Sequence, residues 1–142
     1  MFYPQGMSLK GISAGEIDAT GKALKEVGAV NILIDDTAIT ASYGSISYIG
    51  YGIFPDASTA KSASELIGTH FGNGEVLIDF PYPAKIYSTA NIYGIATTAI
   101  VVSVENVTLV TSLTGIVDSY LAQSRSILLA QAAIKHLEKV GK

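Results

Sequence analysis

A helical pattern that stops at a glycine and passes at once into strand-like alternation constrains this chain most. Ile17, Leu24 and Val27 fall on one stripe at helical spacing. Ser13-Ala14-Gly15-Glu16 ahead of them fits a capping box, in which a serine oxygen and a glutamate each satisfy an orphan N–H. The spacing predicts a helix from about Ala14 to Val27. Gly28 is a natural C-cap, because glycine turns left-handed at no steric cost. Val30, Ile32 and Ile34 then alternate with Asn31 and Asp35, the period of a half-buried strand. Asp35-Asp36-Thr37 supplies turn chemistry, and Ile39, Ala41 and Tyr43 alternate with Thr40 and Ser42 as the second arm of a tight hairpin.

The rest of the chain continues the theme. Tyr43–Phe54 either extends that second strand or forms an aromatic loop, ended by Gly50, Gly52 and Pro55. Asp56 or Ser58 caps a helix over about Thr59–Phe71, with Ala60, Ala63, Leu66 and Ile67 as its apolar stripe, and Gly72-Asn73-Gly74 stops it. Val76, Ile78 and Phe80 alternate with Glu75 and Asp79 in a third strand. Ala84–Ser88 or beyond reads as a fourth. The apolar run Ile95–Val104 reads as a fifth, buried on both faces. A helix over about 109–140 is expected to close the chain, on the period of Leu113, Ile116, Val117, Tyr120, Leu121, Ile127, Leu128, Ile134 and Leu137.

This order predicts an α+β layer fold with a five-stranded, mainly antiparallel sheet. No repeat or linker divides residues 1–142, so a single domain is expected, with its core in about 14–130. Charged residues are 15% of the chain against 49% apolar, below the roughly 25% usual for soluble domains. A surface with so few charges suggests burial against another chain. The net charge of −3 and the scattered lysines give no basic stripe for nucleic acid. The chain has no cysteine, which rules out disulfides and thiolate chemistry. No apolar run approaches the roughly 20 residues of a membrane span. MFYPQGMSLK lacks the pattern of a signal peptide, and the expected location is cytoplasmic.

Chemistry-bearing motifs are few. His70 and His136 lie on different predicted helices, and no set of ligands clusters at metal spacing, so neither metal nor cofactor is expected. Asp35-Asp36 reads as turn chemistry rather than a catalytic pair. Glu75 and Asp79 share a strand face without an aromatic groove beside them. Phe71-Gly72-Asn73-Gly74 lacks the lysine and hydroxyl of a phosphate loop, and no Gly-x-Ser-x-Gly elbow occurs. The one unusual cluster is aromatic: Tyr43, Tyr48, Tyr51 and Phe54. Tyrosine suits interfaces because it buries area and keeps a polar tip, and it equally suits covering a sheet within one chain.

Ala23–Asp36, a leucine-containing helix end, a glycine, an apolar strand and an aspartate turn, resembles the opening of the roadblock (dynein-light-chain-like) family. Ala99–Asn106 followed by Leu109 is similar to that family's last strand and last helix. The resemblance implies a roadblock/profilin-like α-β-β-α-β-β-β-α fold and a non-enzymatic homodimer that binds a small Ras-like GTPase. On that reading Ala60, Ala63, Leu66 and Ile67 pair across the dimer. Tyr48, Tyr51, Phe54, Ser62 and Glu65 are then the candidates for partner contact. The lone arginine, Arg125, lies on a helix expected to pack and is a poor arginine finger. Low charge and a long terminal helix also suit a different class, a structural subunit of a virion, filament or shell.

Overall fold

The computed structural model describes residues 13–14, 24–34, 41–42, 45–90, 96–115 and 118–140. Its centre is a hairpin. β7 (Ala96–Val104) and β8 (Val107–Thr114) pair antiparallel from Val104↔Val107 to Thr97↔Thr114, so Glu105 and Asn106 alone turn the chain. Glu105 has φ 52, the positive φ that two-residue hairpins use to match strand twist. Asn106 then ties the turn to its neighbour. Its Nδ2 donates to the Phe54 carbonyl at 3.1 Å, and the Phe54 N–H donates to the Asn106 carbonyl at 2.8 Å.

This hairpin corrects the expected helix over 109–140, which begins only at Ser119. Val107, Thr108, Val110, Thr111 and Thr114 are β-branched, stiff at χ1 and suited to a pleated surface. Leu109 and Leu113 fit both periods, as neighbours one turn apart on a helix or as residues on one face of a strand. The tight turn at Glu105-Asn106 decides between the two.

β4 (Ser45–Ile53) lies on the far side of β8, in register from Ile46↔Thr114 to Ile53↔Val107. Residues 45–53 are therefore strand rather than loop. β2 (Asn31–Ile34) pairs with β4, and β1 (Ser13–Ala14) with β2. β3 (Ala41–Ser42) pairs with β4 further along, at Ala41↔Ile46 and Ser42↔Ser45. The expected hairpin between residues 30–34 and 39–43 is thus replaced. β2 and β3 both lie along β4, and the closing pair Ser42↔Ser45 leaves only 43 and 44 between β3 and β4. Asp35-Asp36-Thr37 lies outside the described residues. On the other side of β7 come β6 (Ala84–Ala90) and the short edge strand β5 (Gly74–Val76).

The sheet runs β1-β2-β4-β8-β7-β6-β5, every pair antiparallel, with β3 beside β4. Among the described residues it holds eight strands rather than the expected five, because β1 and β8 form where helix was expected and the expected second strand is divided into β3 and β4. The third strand also stops earlier than expected, since residues 78 and 79 form a turn.

Side-chain alternation sorts the core into two layers. Ile49, Tyr51 and Ile53 of β4, Ile100, Val102 and Val104 of β7, and Val107 and Leu109 of β8 face one way. Over them lies the C-terminal helix (Ser119–Val140), through Ala130, Ala133, Ile134 and Leu137. At 22 residues that helix is about 33 Å long. Ala99, Val101, Val110 and Tyr87 face the other way, under Ile67 of α1 (Ala57–Phe71) and Leu24. The C-terminal helix is α2. The molecule is helix, sheet, helix.

The expected first helix is corrected at its start, because Ser13 and Ala14 pair with Ile34 and Leu33 as strand. Residues 15–23 lie outside the described set. Its end is as the glycine implies. Leu24–Glu26 are helical, Gly28 has φ 93, and the Ala29 and Gly28 N–H groups donate to the Leu24 and Lys25 carbonyls at 3.1 and 3.0 Å. This is a Schellman stop. The turn seats on β4 at Gly52, where a Cβ would fall 2.7 Å from Leu24 Cδ2 and 3.3 Å from Ala29 Cβ.

Asp56 caps α1. Its carboxylate accepts from the Thr59 N–H at 2.7 Å and the Thr59 hydroxyl at 2.8 Å. These bonds, the backbone one foremost, hold its pKa below the ordinary carboxylate value. The stability this adds is fully present above the ordinary value and is lost as pH falls through the lowered one. An Asp56→Asn variant keeps a capping oxygen but cannot titrate. Its melting temperature should therefore fall less steeply with acid than the parent's, and parallel acid limbs would refute the assignment.

Candidate functional site

The site follows from how α1 lies on the sheet. Ala60, Ala63 and Ile67 turn inward and are buried. Lys61, Ser64, Glu65 and Thr69, spaced one and two turns apart, consequently line the flank of the helix that faces the β5–β6 edge. Below that flank, strand alternation raises Lys85 and Tyr87 from β6, and Val101 and Ser103 from β7, to the same face. Val76, Pro83 and Ala84 complete a groove of about 470 Å³. That volume lies in the ~300–1,000 Å³ range of small-molecule sites.

The register orders this groove from end to end. One row across the sheet is Val76↔Lys85↔Val101. The next row one way is Gly74↔Tyr87↔Ala99. In the other direction lies Ser103, paired with Thr108 and donating its N–H to the Pro83 carbonyl at 3.0 Å. One end is therefore aromatic and glycine-lined, and the other is rich in hydroxyl groups.

At the aromatic end Tyr87 is buried, its ring 5.7 Å from the Phe71 ring. Two glycines make room for it. A Cβ on Gly68 of α1 would lie 2.9 Å from Tyr87 Cζ, and one on Gly74 of β5 would lie 2.7 Å from it. Burial pushes the Tyr87 phenol above its ordinary pKa. At the other end the Ser64 hydroxyl donates to the Ala60 carbonyl at 2.9 Å and lies 3.2 Å from the Thr108 hydroxyl. The Thr108 hydroxyl donates to the same carbonyl at 2.8 Å. The Thr69 hydroxyl is bound to the Leu66 carbonyl at 2.6 Å. Charge at the groove comes from two ammonium groups, Lys61 and Lys85, and one carboxylate, Glu65.

Of the residues nominated from sequence, this site gathers Glu65 alone. Ser62 is exposed on α1 outside it. Tyr51 and Phe54 are 0% exposed, which corrects their reading as partner contacts. Tyr51 is packed beneath α2, and Phe54 against Ala60 and Ala63. Tyr48 lies on β4, and its side chain is outside the described set. The nominated dimer stripe is divided. Ala60, Ala63 and Ile67 are core residues of this chain, and Leu66 is 54% exposed.

Glu75 and Asp79 are separated, one on β5 and one in the following turn. His136 is half-buried on α2, and the His70 side chain is outside the described set. Among the described residues no group of three or more His, Asp or Glu side chains could hold a metal. Sequence reasoning missed Lys61, Lys85, Tyr87, Val101 and Ser103. Alternation does put Lys85 with Tyr87 and Val101 with Ser103, but nothing local says which helix covers them.

No family model matches the chain, and no curated protein does. Its fold is similar to the crystal structure of the extracellular domain of PknH from Mycobacterium tuberculosis, with a TM-score of 0.51 and 14% identity. The likeness covers 95% of this chain and 80% of that one. At that identity the similarity is one of fold.

Proposed function

We propose that this chain is a non-enzymatic recognition domain that binds its ligand in the groove between α1 and strands β5–β7. The observation that carries this reading is the makeup of the groove. It joins an apolar floor, Val76, Tyr87 and Val101, to a few convergent polar groups, the usual anatomy of a binding pocket. Its chemistry supports binding over catalysis. The Ser64 and Thr69 hydroxyls are bound to backbone carbonyls rather than to a base.

A fragment screen by NMR tests it. Hits should shift the amides of Lys85, Val101 and Ser103, and Ser103→Phe should abolish them without lowering the melting temperature. Hits scattered over the surface, or unaffected by that substitution, would refute the reading.

A second reading is favoured by α2, whose outer face exposes Tyr120 at 81% and Leu128 at 65%, beside Leu121. Exposed apolar stripes of this kind serve association. A homodimeric scaffold of roadblock type would use this face, and a small GTPase would then meet Ser62 and Glu65 on α1. An assembly subunit would use the same stripe in open-ended contacts. Light scattering across about a hundredfold in concentration separates the outcomes: a constant dimer supports the scaffold, growing species support the assembly subunit, and a constant monomer excludes both. Cytoplasmic placement belongs to the GTPase reading, while the similar PknH fold serves as an extracellular domain. No helix among the described residues is long and apolar enough to cross a membrane.

A further inference from the structure

From the polarity of the groove we infer that its ligand is a small amphipathic carboxylate, with its head between Lys61, Lys85 and Ser103 and its apolar body over Val101 toward Tyr87. The inference rests on the groove being the binding site and adds the chemistry of what it takes. Charge gives the sign. Glu65 stands one helical turn from Lys61 and offsets one of the two ammonium groups, so the rim keeps a net single positive charge. None of these three side chains is in a salt bridge among the described residues. A rim of net positive charge favours an anion over a cation.

Register gives the direction. Lys85 and Val101 are directly paired, and Ser103 is the next residue of β7 on the same face. Ser103 therefore offers its hydroxyl beside the Lys85 stem, on the side away from Tyr87. Lys61 approaches from α1 at the end where Ser64 and Thr108 meet. Ser103 and Lys61 thus stand at one end, with Lys85 in the row beside them. Carboxylates accept short, charge-assisted hydrogen bonds from such groups. On either side of Lys85 in that row Val76 and Val101 present apolar surface, and beyond them the slot between Gly68 and Gly74 is already filled by the Tyr87 ring. The body must therefore be short, because the groove is blocked where Tyr87 sits.

The test is titration of the full chain with decanoate and with decanol, each below its micelle or solubility limit, followed by amide chemical shifts. Decanoate should saturate with shifts at Val76, Lys85, Val101 and Ser103, and decanol should bind about tenfold more weakly. A Lys61→Gln/Lys85→Gln double variant, altered only at exposed side chains, should weaken decanoate about tenfold and leave decanol unchanged. Equal binding of the two probes, or decanoate binding that ignores the double variant, overturns the carboxylate while leaving the groove as a site. Absence of groove shifts with either probe overturns both. Thermal melts of the double variant confirm that lost binding is not lost folding.

Discussion

Phe54→Ala should destabilise the chain by about 3–5 kcal/mol, the cost of deleting a fully buried aromatic side chain. Phe54 is 0% exposed and packs against Ala60 and Ala63, the inward stripe of α1. Its backbone also forms the two-way link to Asn106. The cavity would therefore open where helix, strand end and hairpin turn meet, a place with little freedom to collapse. Glu65→Ala, on the exposed flank of the same helix, should fall within about 0.5 kcal/mol of the parent. Urea denaturation reads both, with the midpoint moving and the slope unchanged. A Phe54→Ala loss below about 1 kcal/mol would return the residue to the surface role that its place in an aromatic cluster first suggests.

Gly68→Ala decides a contest between two effects of opposite sign. In an exposed helix interior, alanine in place of glycine gains about 1 kcal/mol. Here the added methyl would lie 2.9 Å from Tyr87 Cζ and closer still to the hydroxyl. The ring cannot retreat toward β5, because Gly74 already holds it at the limit on that side, and Phe71 flanks it. Overpacking costs typically about 1–3 kcal/mol, so the clash should win. The variant should be less stable by about 1–2 kcal/mol, with the ring displaced into the groove. Tyr87→Phe removes the most crowded atom. It should recover part of the loss in the double variant, a coupling that a propensity effect alone would not produce. A stabilised Gly68→Ala would show that the tyrosine is not locked.

Sequence periodicity reads well here wherever a residue's neighbours along the chain decide its state. Gly28 and Gly72 stop helices with φ 93 and 94, Asp56 caps, and residues 96–104 form the strand that their largely apolar run implies, buried from Thr98 to Val102. It fails where partners are distant. Leu109 and Leu113 fit a helix as well as a strand, and they are settled by the Glu105-Asn106 turn, which pairs β8 with β7, and by β4 on the other edge. Residues 30–34 and 39–43 look like the two arms of one hairpin, yet β2 and β3 both pair with β4.

The groove is less legible still. It joins one flank of α1 to alternate residues of β6 and β7, and strand alternation alone cannot say which face a helix will cover. Tyr51 and Phe54 show the same limit. An aromatic cluster in sequence has no sign for inside or outside until the second layer is known.

The placement of β8 between β4 and β7 has a consequence for how the chain reaches this state. The β7–β8 hairpin closes through two residues and can form locally, on the microsecond scale of hairpins. The pairing of β4 with β8 must instead bring Ile53 to Val107 across α1 and three strands, a loop whose closure entropy precedes any reward. The N-terminal arm is therefore expected to dock onto a preformed β7–β8 hairpin, and this non-local pairing is expected to slow folding. During synthesis β4 emerges long before β8, and until then its edge stands open. Termination before residue 107 would release a chain whose β4 has no partner along its β8 edge, a species exposed to aggregation.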